Sequence, residues 1–534
     1  MPSLVQSVDW TALTPVVIPA ALAVVVLVAD LFLPQDRKPL LGWLTVAGLA
    51  AALLTLIPLR DGRRSTFCQT GGASCSYAAD HFTLVIQVLV LGGALLTALL
   101  SLTVEEGPRE APQNGAGGER RAGLPPGEFW FLLLSSAAGG ALLPASRDLA
   151  TLIVALEVTT LPAFALVALR RGDRLSSEAA LKFFLSSVTA TAVSLLGISF
   201  VYAATGTVHL VAVADGLTHV PGQLDTLAKA GAALTLVGFA FKLAVAPFHF
   251  WVPDTYAGAP LPVAAYLSVV GKAAGFAGLI LVTVIAFRPY DDVWGPAVGV
   301  LAALTMTVGN VGALRQRAAA PRSAVRLLAW SSIGQAGYLL VPIAAASAAD
   351  SASHEIGTTV AYALMYGVVN LGAFAVAALV NRTAPEGRLT DYRGLYAARP
   401  FVAVALGFFL LCLAGLPPGV IGLFAKVAVF SSAVGAQHGW LAVIMAVNVV
   451  IALVYYLRWT ALLFTRPEDA AVTARDEAAD GAEGDGARAV RLTAARAVGT
   501  PVGLAAAIAL TAAAGLLLSG APQIVLRYAQ GSLF

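Results

Sequence analysis

The stretch VGFAFKLAVAPFHFWVPD, residues 237–254, decides the fold. It is apolar enough for a lipid-embedded helix, yet it carries Lys242 and His249 seven residues apart with Pro247 between them. A regular helix would put both side chains on one face, two turns apart. Pro247 prevents this, because proline removes a backbone donor and blocks the carbonyl four residues earlier. Inside a membrane the groups so freed need partners from neighbouring protein or from water lining a cavity.

The composition around that stretch is of one kind. Of 534 residues, 58% are hydrophobic and 12% charged, and the mean hydropathy is +0.81. A soluble domain runs near a quarter charged, so soluble and disordered classes are excluded. Crossing roughly 30 Å of hydrocarbon at about 1.5 Å per residue takes about 20 apolar residues. Such runs recur from end to end, whereas the alternating segments of an outer-membrane barrel are absent. The fold class is an all-α polytopic membrane protein of about 14 transmembrane helices. The net charge of +3 gives no case for nucleic acid.

The first span lies between Asp9 and Asp30 without a basic leader and reads as a retained helix. The spans at 229–250 and 400–436 are interrupted, the second by Pro417 and Pro418 ahead of Lys426. Two interrupted helices five spans apart, each with a lysine, suggest a duplicated unit, and an odd number of crossings makes the copies inverted. The chain then divides into a three-helix segment and loop (1–128), a first repeat (129–287), a second, inverted repeat (294–464), a polar loop (466–498) and a final helix with the C-terminus (499–534). The spans alternate sides so that one side collects 22 lysines and arginines and the other seven. The richer side should be cytoplasmic, which puts both termini outside. Residues 104–128 and 466–498 read as solvated cytoplasmic loops without chemistry. Cys68 and Cys75 share an outer loop where a disulfide can survive, and the sequence leaves a bridge and two free thiols equally open. No metal-ligand spacing, Gly-rich nucleotide loop or haem motif is present, so no metal, cofactor or redox centre is expected in this chain.

Lysine usage is the sharpest signal. Only six of the 33 basic residues are lysine, and four of these, Lys182, Lys242, Lys272 and Lys426, lie inside spans, where no arginine occupies a helix middle. Guanidinium stays charged, whereas desolvation can push an ammonium toward neutrality, so the pattern suits a group that must release its proton. An ionisable group near the bilayer centre costs at least ~2.5 to 3.5 kcal/mol and is a functional candidate by default. Glu157, in TLIVALEVTTLPAFALVAL, is the clearest acid. These residues allow a proton relay, with Glu157 tuning Lys242, Lys272 central and Lys426 terminal, joined by water and by His249, Ser331, Ser332, Gln335 and Tyr338. Lys182 sits near its helix start, placed to snorkel, and with His249 is a weaker member.

LIVALEVTTLPAFALVAL, EAALKFFLSS, FKLAVAPFHFWVPDTYAGAPLPVAAYLSVVGKAAGF, LLAWSSIGQAGYLL, LTDYRGL and LAGLPPGVIGLFAK together resemble the antiporter-like membrane subunits of respiratory complex I. The PDTYAGAP portion resembles the N-type chains of bacterial NADH-quinone oxidoreductase. The resemblance implies fourteen helices, two inverted five-helix repeats, broken seventh and twelfth helices, and a polar axis at mid-membrane. It implies a multi-pass place in the bacterial inner (plasma) membrane and a proton-translocating role in a translocase, coupled to NADH:quinone electron transfer in other subunits. The partners so implied are the other membrane subunits and a peripheral NADH-oxidising arm with FMN, iron-sulfur clusters and quinone. The family's ionisable positions fall on Glu157, Lys242, Lys272 and Lys426, with Lys182 weaker. Gln335 stands where many members carry histidine and cannot titrate. The alternatives are a subunit of an Mrp-type cation/proton antiporter and a structural spacer whose buried charges move no protons.

Overall fold

The computed structural model describes residues 8–69, 74–102, 124–170, 172–349, 352–465, 499–527 and 533. Among these, 13 helices are long and apolar enough to cross a membrane, and two shorter apolar helices, Pro400–Ala414 and Val420–Gly435, follow one another. The helices are α1 (Trp10–Phe32), α2 (Pro39–Leu54), α3 (His81–Ser101), α4 (Pro126–Leu142), α5 (Leu149–Ala168), α6 (Arg174–Thr205), α7 (Leu210–Leu217), α8 (Asp225–Leu243), α9 (Trp251–Gly258) and α10 (Leu261–Tyr266). They continue with α11 (Lys272–Ile280), α12 (Asp291–Leu314), α13 (Ser323–Ala345), α14 (Ala352–Asn381), α15 (Leu395–Ala398), α16 (Pro400–Ala414), α17 (Val420–Gly435), α18 (Gly439–Leu463), α19 (Val502–Gly520) and α20 (Gln523–Leu526). A π-helical turn, Leu267–Gly271, joins α10 to α11 within one crossing.

The helices sort by burial. α3, the α10–α11 crossing, α13 and α14 are enclosed over most of their length, whereas α1, α2, α6, α18 and α19 turn wide apolar faces outward. An outward apolar face is what a helix needs when its solvent is lipid. α13 carries Ser331, Ser332 and Gln335 and is the most enclosed crossing.

Three details differ from the sequence expectation. The span placed at 229–250 is interrupted as expected, but its helix ends at Leu243, four residues ahead of Pro247, and the chain resumes as α9 after a bend. Pro126–Glu128, assigned to a loop, open α4 with proline at its first position, where a missing donor costs nothing. Residues 104–123 and 466–498 lie outside the described residues. The cysteine loop is a two-stranded hairpin, Arg64–Cys68 (β1) with Cys75–Ala79 (β2), closed by a Cys68–Cys75 disulfide. Five-residue strands beside long apolar helices left no periodicity to read.

Arg147, counted as a loop charge, is buried at this end of the bundle. Its guanidinium donates to the Asp80 carboxylate, to the carbonyls of Pro144 at 2.8 Å and Ser146 at 2.9 Å, and to Thr83 Oγ1 at 3.3 Å. Asp80 also accepts from the Thr83 amide at 3.0 Å and so caps α3. This pair joins the start of α3 to the turn between α4 and α5. Breaking a buried pair strands one charge at a cost of about 3–5 kcal/mol. Arg147→Ala should therefore lower the thermal midpoint of the purified protein by far more than Arg64→Ala, whose partner Asp9 is only 3.2 Å away but solvent-accessible; parallel melting curves check this.

Candidate functional site

Two helix interruptions build the site. At the first, α8 stops where Ala244 takes a left-handed conformation, φ 59, and the Ala246–Pro247 bond is cis. Several of the groups freed there find partners close by. Phe241 O accepts from Ala244 N at 2.9 Å and from Trp251 Nε1 at 3.3 Å, Ala246 N donates to Thr305 Oγ1 at 3.0 Å, and Leu243 O accepts from Lys272 Nζ at 3.1 Å. At the second, α16 ends at Gly415, φ 83, before the cis Pro417–Pro418 bond. Its last carbonyls, Leu413 O and Ala414 O, accept from Lys426 Nζ at 2.9 and 2.7 Å.

Lys272 and Lys426 thus do the same thing. Each is a buried ammonium, 2% and 5% exposed, at the C-terminus of a half-helix. That end carries roughly half a negative charge and unsatisfied carbonyls, so it serves as counter-charge where a carboxylate would otherwise be needed. Lys426 also lies 5.5 Å from the centre of the Tyr338 ring. Lys242, in the last turn of α8, is 5% exposed and is held differently. Its Nζ donates to Ser187 Oγ at 2.5 Å.

Glu157 sits half-buried on α5, between the outward-facing Val154, Val158 and Leu161. Its Oε1 accepts from Thr191 Oγ1 at 2.7 Å, and its Oε2 from Thr160 Oγ1 at 3.5 Å. Lys242 and Glu157 thus each bond a hydroxyl of α6, Ser187 and Thr191 four residues apart, and their charged atoms form no ion pair with one another. Ser187 and Thr191 were missed in the sequence, although their four-residue spacing in an apolar helix was a usable signal.

Between the two lysine-capped ends runs a buried polar cluster on α9, α12, α13, α14 and α18. The Tyr362 hydroxyl donates to Gln335 Oε1, Gln335 Nε2 donates to the Tyr456 hydroxyl at 3.2 Å, and that hydroxyl bonds Ser331 Oγ at 2.5 Å. Beyond it, Tyr455 donates to Asn310 Oδ1 at 3.0 Å, and Asn310 Nδ2 to Asn448 Oδ1 at 3.0 Å. Ser268 Oγ accepts from Asn370 Nδ2 at 2.7 Å beside the π turn. The hydroxyls of Tyr256, Ser332 and Tyr338 are buried without a direct hydrogen bond. Buried polar groups of this kind are ordinarily satisfied by ordered water.

The two weaker candidates lie off this line. Lys182 has a side chain 48% exposed and pairs with Glu178 at 2.8 Å and Asp254 at 2.9 Å. Asp254 also binds Arg326 at 3.1 Å, so one carboxylate ties α6, α9 and α13 together in a charged cleft. Nothing about Asp254 beyond its place in PDTYAGAP had singled it out. His249 follows the first interruption, with its ring 5.7 Å from that of Trp330. Among the described residues no group of three His, Cys, Asp or Glu is placed to hold a metal.

Residues 146–452 match a family profile described as NADH:quinone oxidoreductase/Mrp antiporter, transmembrane. NADH-quinone oxidoreductase subunit N 2 of Streptomyces griseus is 68% identical over 534 residues, which is 100% of this chain and 95% of that protein. NADH-quinone oxidoreductase subunit N of Salinispora tropica is 44% identical over 478 residues, 88% of each chain. Among solved structures, a chain of respiratory complex I from Thermus thermophilus superimposes with a TM-score of 0.69 at 31% identity, covering 96% of this chain and 98% of that one. A chain of the Mrp complex from Dietzia superimposes at 0.76 with 24% identity, over 97% and 96%, and so shares the fold.

The second interruption depends on two glycines. A Cβ on Gly422 would lie 1.8 Å from Cys412 O, and one on Gly419 2.5 Å from Cys412 N, so α17 can cross α16 only without side chains there. Gly435, on the same helix, faces open space. Gly422→Ala should destabilise the protein by about 3 kcal/mol or more through overpacking. Gly435→Ala should be neutral or slightly stabilising; thermal midpoints of the two variants in detergent check the contrast.

Proposed function

The chain belongs to the NADH:quinone oxidoreductase/Mrp antiporter transmembrane family, and on that premise we propose that it carries protons across the membrane through Glu157, Lys242, Lys272 and Lys426. It is a proton-translocating membrane subunit of an NADH-quinone oxidoreductase, by its likeness to the N-subunit chains over its whole length. Electron transfer through FMN, iron-sulfur clusters and quinone belongs to partner subunits. Those partners are the neighbouring membrane subunits and, through them, the NADH-oxidising arm. The chain resides in the bacterial cytoplasmic membrane with both termini outside, a reading supported by the lysine and arginine asymmetry of its loops. Residues 129–287 and 294–464 are its two inverted units, each contributing one broken helix.

The observation that carries the relay is the pair of ammonium groups seated on half-helix carbonyls, Lys272 on Leu243 and Lys426 on Leu413 and Ala414. A lysine held by a helix end has a weaker, more diffuse counter-charge than one held by a carboxylate, and it keeps its hydrogen bonds as a neutral amine. It can therefore lose and regain its proton without a rearrangement of the bundle. Lys242 is the adjustable member. A carboxylate within about 10 Å at an effective dielectric near 20 is worth on the order of 2 kcal/mol. Moving one charge across 100 mV takes about 2.3 kcal/mol. A change in the charge or position of Glu157 therefore shifts the Lys242 proton by an energy of the same order as the membrane potential. Glu157 lies at an outward face of α5, where a neighbouring subunit can act on it. Water held by Tyr256, Ser332 and Tyr338 completes the path between Lys272 and Lys426.

Lys242→Ala, Lys272→Ala and Lys426→Ala should each abolish most NADH-driven proton translocation in membrane vesicles carrying the assembled complex. Lysine-to-arginine changes should fail as well, because guanidinium does not release its proton. Lys182→Ala should retain most activity. Full translocation by Lys272→Ala and Lys426→Ala in assembled complex would assign the chain a purely structural role.

A further inference from the structure

We infer that Ser187 and Thr191 of α6 form a hydroxyl track that carries the proton exchanged between Lys242 and Glu157, so that α6 rather than a direct ion pair sets the first hop. The inference deepens the relay reading and rests on it.

The donor and acceptor chemistry leaves little freedom. An ammonium only donates and a carboxylate only accepts. Ser187 Oγ therefore accepts from Lys242 Nζ at 2.5 Å, and its own hydrogen points elsewhere. Thr191 Oγ1 donates its hydrogen to Glu157 Oε1 at 2.7 Å, which leaves its lone pairs free to accept. The free donor and the free acceptor are four residues apart on one helix face, about 6 Å along the axis. Bridging water, one molecule or two in file with hydrogen bonds of about 2.8 Å each, spans that gap. Both side chains are buried, at 0% and 9% exposure, so bulk solvent does not compete.

The neighbouring hydroxyls show that this arrangement is specific. A serine or threonine inside a helix ordinarily donates back to a carbonyl one turn earlier. Ser186 does so to Lys182 O at 2.6 Å and Thr189 to Leu185 O at 2.9 Å, while Ser194 donates across to Thr235 O at 2.9 Å. Ser187 and Thr191 engage the charged groups instead. All hydrogen bonds along the track then point from Lys242 toward Glu157.

In the transfer an Nζ–H bond of Lys242 breaks and an O–H bond forms on Ser187 Oγ as the serine's own hydrogen leaves to the water. The water passes a hydrogen to Thr191 Oγ1, whose former hydrogen goes to Glu157 Oε1. The ammonium becomes an amine and the carboxylate a carboxylic acid, with total charge unchanged, and each bond along the track is left reversed. The reverse sequence resets it.

The test uses assembled complex in membrane vesicles, with NADH oxidation and proton uptake followed together. Thr191→Val keeps the shape and removes the hydroxyl; it should slow NADH-driven proton uptake about tenfold, the rate equivalent of one lost hydrogen bond to a charged group. Thr191→Ser should restore it, which a packing role would not predict. Ser187→Ala, a smaller deletion that leaves the Glu157 contact intact, gives the same readout if Thr191→Val does not assemble. Normal uptake in the hydroxyl-deleted variants, or a Thr191→Ser variant as impaired as Thr191→Val, overturns the track. Glu157→Gln and Lys242→Ala run alongside; unimpaired uptake in those two would instead overturn the relay itself.

Discussion

The structure depends on giving a positive charge an oxygen partner in a medium that supplies none. In lipid every backbone carbonyl within a continuous helix is already engaged, so an ammonium can take backbone carbonyls as its partners only where a helix has been broken. The two interruptions are therefore prerequisites of the buried lysines rather than irregularities beside them. Each break in turn places demands on its surroundings. The first needs Trp251 and Thr305 to take up groups that Lys272 does not reach, and the second needs glycine where α17 passes Cys412.

The two seats differ from the third charge in kind. Lys272 and Lys426 face fixed backbone dipoles, which do not change when a proton moves. Lys242 faces hydroxyls whose hydrogens can rotate and, beyond them, a carboxylate whose charge can change. One end of the line is thus responsive and the remainder is constant, an arrangement that suits a signal received near Glu157 and executed deeper in the bundle. The polar cluster around Gln335 adds hydrogen bonds but no titratable group of ordinary range, so it can orient water without storing a proton.

The class, the crossings and both breaks were legible because they rest on local rules: apolar length, proline inside a span, and lysine where arginine is otherwise preferred. What Lys272 and Lys426 bind was not legible. Their partners are carbonyls of Leu243, Leu413 and Ala414, and a carbonyl is a property of where the chain bends, not of a residue type. The interposed hydroxyls between Glu157 and Lys242 were hidden for a related reason: opposite charges at matching depth suggest contact, and only packing shows that α6 lies between them. Tyr362, Tyr456, Asn310 and Asn448 come from three helices far apart in sequence, so nothing local marks them as one cluster.

The π turn at Leu267–Gly271 bears on how such a site arises. One surplus residue in a helix advances everything after it by about 100° around the axis. Deleting a single residue from that turn would leave the crossing helical and equally apolar, yet would swing Lys272 a quarter-circle or more away from Leu243 and into packed side chains. The bulge works as an angular shim, and a length change of one amino acid there would silence the centre of the molecule while leaving its hydropathy profile untouched.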